Sequence, residues 1–257
     1  MSWSLVTGAT GGLGAAIAEL LAAQGRALIV SGRDVSLLES MAQSLQETHG
    51  IEVRAVAADL ATQAGLDALC SIDEPLDLVV VCGAAYHYGS LMTLGGAEFE
   101  RLTDCNVRNT GHLIRWALGP LGRTGGGLLV VGSMGAILPA PQHASYSASK
   151  AWLHQFVRSI QAETSSDAVR ITLGIPGGMA TPMLLESPVW ESMQHNPLAR
   201  LTLMRPDYVA EQFLAAVRRG RPVVIPGLLN RWACWLVGLL PLWARLWLAR
   251  RFYAVGQ

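Results

Sequence analysis

Seven short runs of apolar, often β-branched residues punctuate the chain, at 4–8, 27–32, 52–59, 76–83, 126–133, 169–175 and 221–227. Runs such as Ala27-Leu28-Ile29-Val30 and Leu78-Val79-Val80-Val81 are nearly continuous in apolar residues rather than alternating with polar ones. Buried strands of a parallel sheet read that way, because helices cover both faces. Between the runs lie stretches with apolar residues at 3.6 spacing. One runs from Leu13 to Gly25, where the glycine stops the pattern as it stops a helix. The alternation predicts an α/β fold: a doubly wound parallel sheet of about seven strands, with right-handed crossovers and helices on both faces. One domain is expected over 1–226. An apolar helical extension rich in Trp and Arg is expected over 227–257.

Composition narrows the function classes. Of 257 residues, 51% are apolar and 15% charged, enough apolar material for one large core. Acids and bases balance at 19 each, so no global field draws in nucleic acid. The four cysteines (Cys70, Cys82, Cys105, Cys234) lie far apart without a CxxC pair. Neither a disulfide framework nor a metal site is expected, and a reducing cytoplasm suits them. The N-terminal stretch has no basic residue ahead of its apolar ones, so it does not read as a secretory signal.

The first run leads directly into Thr7-Gly8-Ala9-Thr10-Gly11-Gly12-Leu13-Gly14, and a helical pattern follows. A strand, a glycine-rich turn and a helix N-terminus make an anion site, because the first-turn amides and the helix dipole favour negative charge. Glycine is needed where the backbone takes positive φ or approaches a pyrophosphate. The second run ends in Ser31-Gly32-Arg33-Asp34, where a ribose 2′ position is read. A guanidinium there holds a 2′-phosphate, so Arg33 favours NADP(H). A shift of one residue would make Asp34 the reader and favour NAD. Asp59 and Leu60, at the end of the third run, suit contact with an adenine ring; the alternative for Asp59 is a helix N-cap.

Tyr146 and Lys150 stand one helical turn apart in Ala144-Ser145-Tyr146-Ser147-Ala148-Ser149-Lys150. A fixed ammonium favours the phenolate and is expected to bring the tyrosine down toward neutral pH as a general acid. Small neighbours leave room for cofactor and substrate. Ser133 ends the fifth run, at the sheet edge where ligands bind, and suits donation to a carbonyl oxygen. Asn106, in the preceding helical segment, is placed to anchor a water behind Lys150. Thr181, in 175–183 after the sixth run, suits contact with a carboxamide.

This combination resembles the short-chain dehydrogenase/reductase family, in its single-domain short form. The resemblance covers residues 4 to about 226 and rests on the loop at 7–14, Ala57-Ala58-Asp59-Leu60, Asn106, Ser133, Tyr146-Ser147-Ala148-Ser149-Lys150, and Pro176-Gly177-Gly178 with Thr181. It implies a Rossmann-type fold and a catalytic Ser133–Tyr146–Lys150–Asn106 tetrad. In that tetrad Tyr146 is the general acid/base, Lys150 lowers its pKa and holds the nicotinamide ribose, and Asn106 holds a relay water. It further implies cofactor contacts at Gly8, Thr10, Gly12, Leu13, Gly14, Arg33, Asp59, Leu60, Gly83, Tyr146, Lys150, Pro176, Gly177 and Thr181. One departure stands out: after the fourth run the family has an Asn-Asn-Ala-Gly-like element, and this chain has Val81-Cys82-Gly83-Ala84-Ala85. Asn109 is the second asparagine of the same segment, and Asn106 is favoured.

Candidate substrate residues are Tyr86, His143, Met183 and Trp190. The last two lie in 183–201, a segment expected to cover an apolar or bulky substrate. His154 reads as a packing residue. Residues 228–252 hold four of the eight tryptophans, with Arg231, Arg245, Arg250 and Arg251. Two short helices hinged at Pro241 are expected. They suit packing on the domain or a second subunit, or peripheral membrane contact, and are too short for a span. The resulting reading is an NADP(H)-dependent carbonyl reductase, or the reverse alcohol dehydrogenase, acting on a small-molecule carbonyl or alcohol as a homodimer or homotetramer. Two alternatives are a non-catalytic NADP-binding scaffold or redox sensor, and a membrane-peripheral reductase of a lipid-like ketone.

Overall fold

The structure is a computed structural model that describes residues 2–164, 168–185, 190 and 202–253. Seven parallel strands form one sheet in the order β3-β2-β1-β4-β5-β6-β7. They are β1 (Trp3–Thr7), β2 (Ala27–Gly32), β3 (Val53–Ala57), β4 (Leu76–Val81), β5 (Gly127–Val131), β6 (Arg170–Gly174) and β7 (Val223–Val224). The strand order reverses between β1 and β4, which opens a crevice at their carboxyl ends.

The continuous apolar runs follow from burial on both faces. On one face Leu5, Ile29, Val79, Leu128 and Val130 pack with Leu66, Leu113, Ile114, Leu153 and Val157. On the other, Val6, Leu28, Val30, Val80 and Leu129 pack with Ile17, Leu21, Leu38 and Phe213. Successive strand residues therefore alternate between two buried layers and not between core and solvent.

The helices are α1 (Gly12–Ala23), α2 (Val35–His49), α3 (Gln63–Cys70), α4 (Gly96–Thr103), α5 (Thr110–Thr124), α6 (Ala144–Glu163), α7 (Pro182–Leu185), α8 (Pro206–Arg218), α9 (Leu228–Leu239) and α10 (Leu242–Tyr253). A π-helical segment, Asp104–Asn109, joins α4 to α5, and a 3₁₀ turn, Met134–Ala136, follows β5. Helix α1 ends short of Gly25, which takes a φ of 72°. Strand β7 is much shorter than its apolar run: Pro222 and Pro226 flank it and have no N–H to give a ladder. The expected hinge is present, since α9 and α10 meet around Leu240 and Pro241.

Candidate active site

Thr7, the last residue of β1, donates through its hydroxyl to Val80 O (3.2 Å) and accepts from Cys82 N (3.2 Å) and Gly83 N (3.4 Å). It thereby ties the end of β4 to the glycine loop. Gly8 follows with φ 65°, and a Cβ there would lie 2.7 Å from Gly83 Cα. A Cβ on Gly14 would lie 2.1 Å from Gly8 O. Helix α1 begins at Gly11 without a side-chain cap, whereas Asp34 caps α2 and Thr62 caps α3. The first-turn amides of α1 and the glycine cradle fit a pyrophosphate. Leu13 is buried beneath the loop.

Around this cradle the other expected cofactor positions converge. A Cβ on Gly12 would lie 2.6 Å from Thr181 Cγ2, so Thr181 stands directly over the loop. Thr10 packs on Gly32 at the end of β2. Arg33, the next residue after Gly32, is exposed, and its charge acts on Asp59. Asp34 is engaged elsewhere: its carboxylate accepts from Leu37 N at 3.0 Å as the α2 cap. Asp59 is not a helix N-cap, since Thr62 holds that place on α3. Its carboxylate accepts from Ala61 N (3.0 Å) and pairs with Arg101 (2.8 Å). Burial opposes ionisation of Asp59, but Ala61 N–H, Arg101 and Arg33 outweigh it and hold the carboxyl below its ordinary value. Leu60 is buried against Gly83. Pro176 O accepts from Met134 N at 3.1 Å, joining the segment after β6 to the one after β5. Gly177 has no room for a side chain, because Asn230 Nδ2 of α9 lies 2.7 Å from where its Cβ would be.

The tetrad residues come together at the carboxyl edge of β5. Ser133 caps the 3₁₀ turn by accepting from Gly135 N at 3.0 Å, and its hydroxyl hydrogen-bonds Tyr146. Lys150 is only 4% exposed; its ammonium donates to Val131 O at 3.0 Å and lies 5.9 Å from the Tyr146 ring centre. The expected lowering of Tyr146 does not occur. Burial raises its pKa, the Ser133 hydrogen bond opposes that only partly, and Cys82 nearby adds to the rise. Burial also lowers Lys150. The ammonium is directed at a backbone carbonyl, and desolvation of the phenol outweighs any help from it.

Asn106 is 3% exposed in the π-helical segment, an irregularity frequent at functional sites. Its Oδ1 accepts from Ala85 N (2.8 Å), and its Nδ2 donates to Ala85 O (2.8 Å) and Ser149 Oγ (3.1 Å). Both amide hydrogens are thus committed within the protein. The side chain fixes the strand-end loop whose family asparagines are missing, and ties that loop to α6. Asn109 donates to Leu60 O at 2.9 Å and faces away from the tetrad.

His154 packs in the interior, as expected, and also makes a specific polar contact. It is 4% exposed on α6, and its Nε2 accepts from Ser133 N at 3.2 Å. A Cβ on Gly132 would lie 2.2 Å from that nitrogen, so the contact requires glycine there. Burial first, then the charges of Arg158 and Lys150, push the His154 pKa down to about 4. A neutral imidazole therefore holds the backbone of Ser133.

Of the substrate candidates, Tyr86 and His143 are brought to Tyr146. The Tyr86 hydroxyl lies 2.5 Å from His143 Nε2, and His143 Nδ1 lies 3.2 Å from Pro141 O. A carbonyl only accepts, so Nδ1 carries the hydrogen and Tyr86 donates to Nε2. The Tyr86 ring meets Tyr146 edge-on at 5.1 Å. Gln142, with φ 63°, presents His143 from a conformation that non-glycine residues rarely adopt. The Met183 side chain lies outside the described residues, as does most of 183–201; Trp190 is half-buried. No cluster of metal-ligating residues occurs among the described residues.

The comparisons agree with this geometry. The short chain dehydrogenase family model matches residues 2–192, and the chain belongs to that family. It is 28% identical over 214 residues to an uncharacterized oxidoreductase, YmfI, of Bacillus subtilis, covering 81% of this chain and 88% of that one. Other relatives are longer, and the chain spans as little as 18% of one of them. Among solved structures, a 7β-hydroxysteroid dehydrogenase superimposes with a TM-score of 0.85 at 20% identity, over 99% of this chain and 97% of that one. L-sorbose reductase of Gluconobacter frateurii, solved with NADPH and L-sorbose, superimposes with a TM-score of 0.75 at 25% identity, over 89% and 97%. The chain is accordingly an oxidoreductase of the short-chain type with a nicotinamide-binding fold.

Proposed function

We propose that the protein is an NADPH-dependent reductase of a small-molecule ketone or aldehyde, able to run in reverse as an alcohol dehydrogenase. The observation that carries this reading is the Ser133–Tyr146–Lys150 cluster in the same fold as a glycine cradle with no room for side chains, which suits a pyrophosphate. When bound, a reduced nicotinamide cofactor would supply the hydride for a carbonyl carbon. Tyr146 gives its phenolic proton to the carbonyl oxygen, and the Ser133 hydroxyl orients that oxygen. Lys150, whose ammonium lies 5.9 Å from the Tyr146 ring centre, would hold the cofactor's ribose. Burial raises the Tyr146 pKa, and the phenol is the proton donor that carbonyl reduction needs.

Arg33 is the proposed reader of a 2′-phosphate. Its rival Asp34 is occupied as the α2 cap, and Asp59 and Arg101 already neutralise each other nearby. The Tyr86 ring beside Tyr146, and the Tyr88 ring against His143, support a bulky, partly apolar substrate. Assembly as a homodimer or homotetramer through α6 is part of the reading. Titration calorimetry with NADPH and NADH on the wild type and Arg33→Ala tests it. NADPH binding much tighter, with the preference lost in the variant, is the expected result. Equal or tighter NADH binding overturns the cofactor assignment. Binding without turnover of any carbonyl would favour the non-catalytic scaffold.

A further inference from the structure

We propose that α9 and α10 form a docking face for an anionic lipid surface, and that the protein is peripherally membrane-bound. This goes beyond the catalytic reading and does not depend on it.

The two helices carry their apolar residues outward. In α9, Leu228, Leu229, Trp232, Trp235, Leu236 and Leu239 are all more than half exposed. At about 100° per residue they share one arc roughly 120° wide. The opposite side, with Asn230 and Cys234, is buried against the domain. In α10, Leu242, Trp243 and Trp247 are 66%, 74% and 65% exposed, while Ala249, at the edge of that arc, is buried. A surface helix of a water-soluble domain has the reverse polarity. The helices are fixed in this attitude. Asn230 packs on Gly177 and donates to Thr202 O at 3.3 Å. Arg245 donates to Leu240 O (2.8 Å) and Gly238 O (2.7 Å), capping the end of α9 across the hinge.

Charge selects the occupant. No acidic residue follows Glu211 in the chain, and four arginines lie in 228–257. Arg231 is exposed beside the α9 arc and Arg250 is exposed within the α10 arc, and neither pairs with a carboxylate among the described residues. A twofold contact between two such tails would set arginine against arginine with no carboxylate on either side. An anionic headgroup layer supplies the missing charge. Tryptophan suits the boundary beneath it, with its ring in the acyl region and its N–H at the headgroups. No helix among the described residues is long and apolar enough to cross a membrane, so the contact lies in the interface plane.

The test is co-sedimentation of the full chain with vesicles of phosphatidylcholine, with and without one third (roughly) phosphatidylglycerol, alongside its mass in solution. Pelleting with the anionic vesicles, weakened by salt, is expected. Arg231→Glu/Arg250→Glu and Trp243→Ser/Trp247→Ser should each lower the bound fraction by roughly tenfold or more. These side chains are exposed, so melting should match the wild type. Vesicles with brominated chains should quench wild-type tryptophan fluorescence, which needs no variant. Failure to pellet with either vesicle, wild-type binding by the arginine pair, or absence of quenching overturns the proposal. So does a tail-dependent oligomer, dissociated by the tryptophan pair, that shows no vesicle binding.

Discussion

The contact between His154 and Ser133 predicts a specific acid lability. In the folded protein His154 titrates at about 4, against 6.5 for an unhindered imidazole. Between those values the unfolded chain binds the proton and the folded one does not, so stability falls as pH drops from 6.5 toward 4. The difference, at 1.36 kcal/mol per unit, is about 3 kcal/mol when fully developed. For a chain of this size that is roughly 6–12 °C in melting temperature. His154→Gln keeps an acceptor near Ser133 N and removes the titration, so its melting temperature should vary less with pH across this window. His154→Leu removes both, and should also lose about 1–3 kcal/mol at neutral pH by leaving that N–H without a partner. Burial lowers His143 as well, but it is common to all three proteins and cancels in the comparison. Melting curves at several pH values decide the matter. Parallel pH dependence in wild type and His154→Gln would refute the assignment of His154 as a neutral acceptor.

Other consequences follow from single contacts. Tyr146→Phe should reduce kcat by about 10²–10⁴-fold while leaving NADPH affinity nearly intact, measured by steady-state kinetics and calorimetry. Asn106→Ala removes three hydrogen bonds that hold Ala85 to α6, and should cost about 2–4 kcal/mol in denaturant unfolding. Asp34→Ala should lose about 1 kcal/mol of stability with no change in the NADPH-to-NADH affinity ratio, in contrast to Arg33→Ala. Gly12→Ala pushes a methyl to 2.6 Å from Thr181 Cγ2 and should weaken NADPH binding several-fold; adding Thr181→Ser, which removes that carbon, should restore most of it.

Much of the molecule was legible because its signals are local. The seven apolar runs, the glycine loop and the Tyr146/Lys150 spacing each depend on a few neighbouring residues and backbone geometry. What escaped depends on docking distant segments. The direction of the Tyr146 shift is set by burial, and the ammonium that should oppose it is turned toward Val131 O. His154 becomes a partner of Ser133 only when α6 lies against the end of β5. The sole local cue was Gly132, a glycine before Ser133 whose missing side chain makes room for the imidazole. The stretch after β4 lacks the family's asparagines, and with them their side-chain hydrogen bonds. The structure supplies that support from Thr7 and Asn106, residues 75 and 21 positions away in the chain. Residue types alone could not show that Asp34 would be taken up by a helix cap.

The most direct test of the central claim is transfer of label from NADPH carrying deuterium at the nicotinamide C4 to a panel of bulky ketones, in wild type and Tyr146→Phe. A deuterated alcohol formed by the wild type, and suppressed in the variant at equal NADPH occupancy, is the predicted result. Tight NADPH binding with no label transfer to any ketone, or equal transfer by Tyr146→Phe, would contradict it.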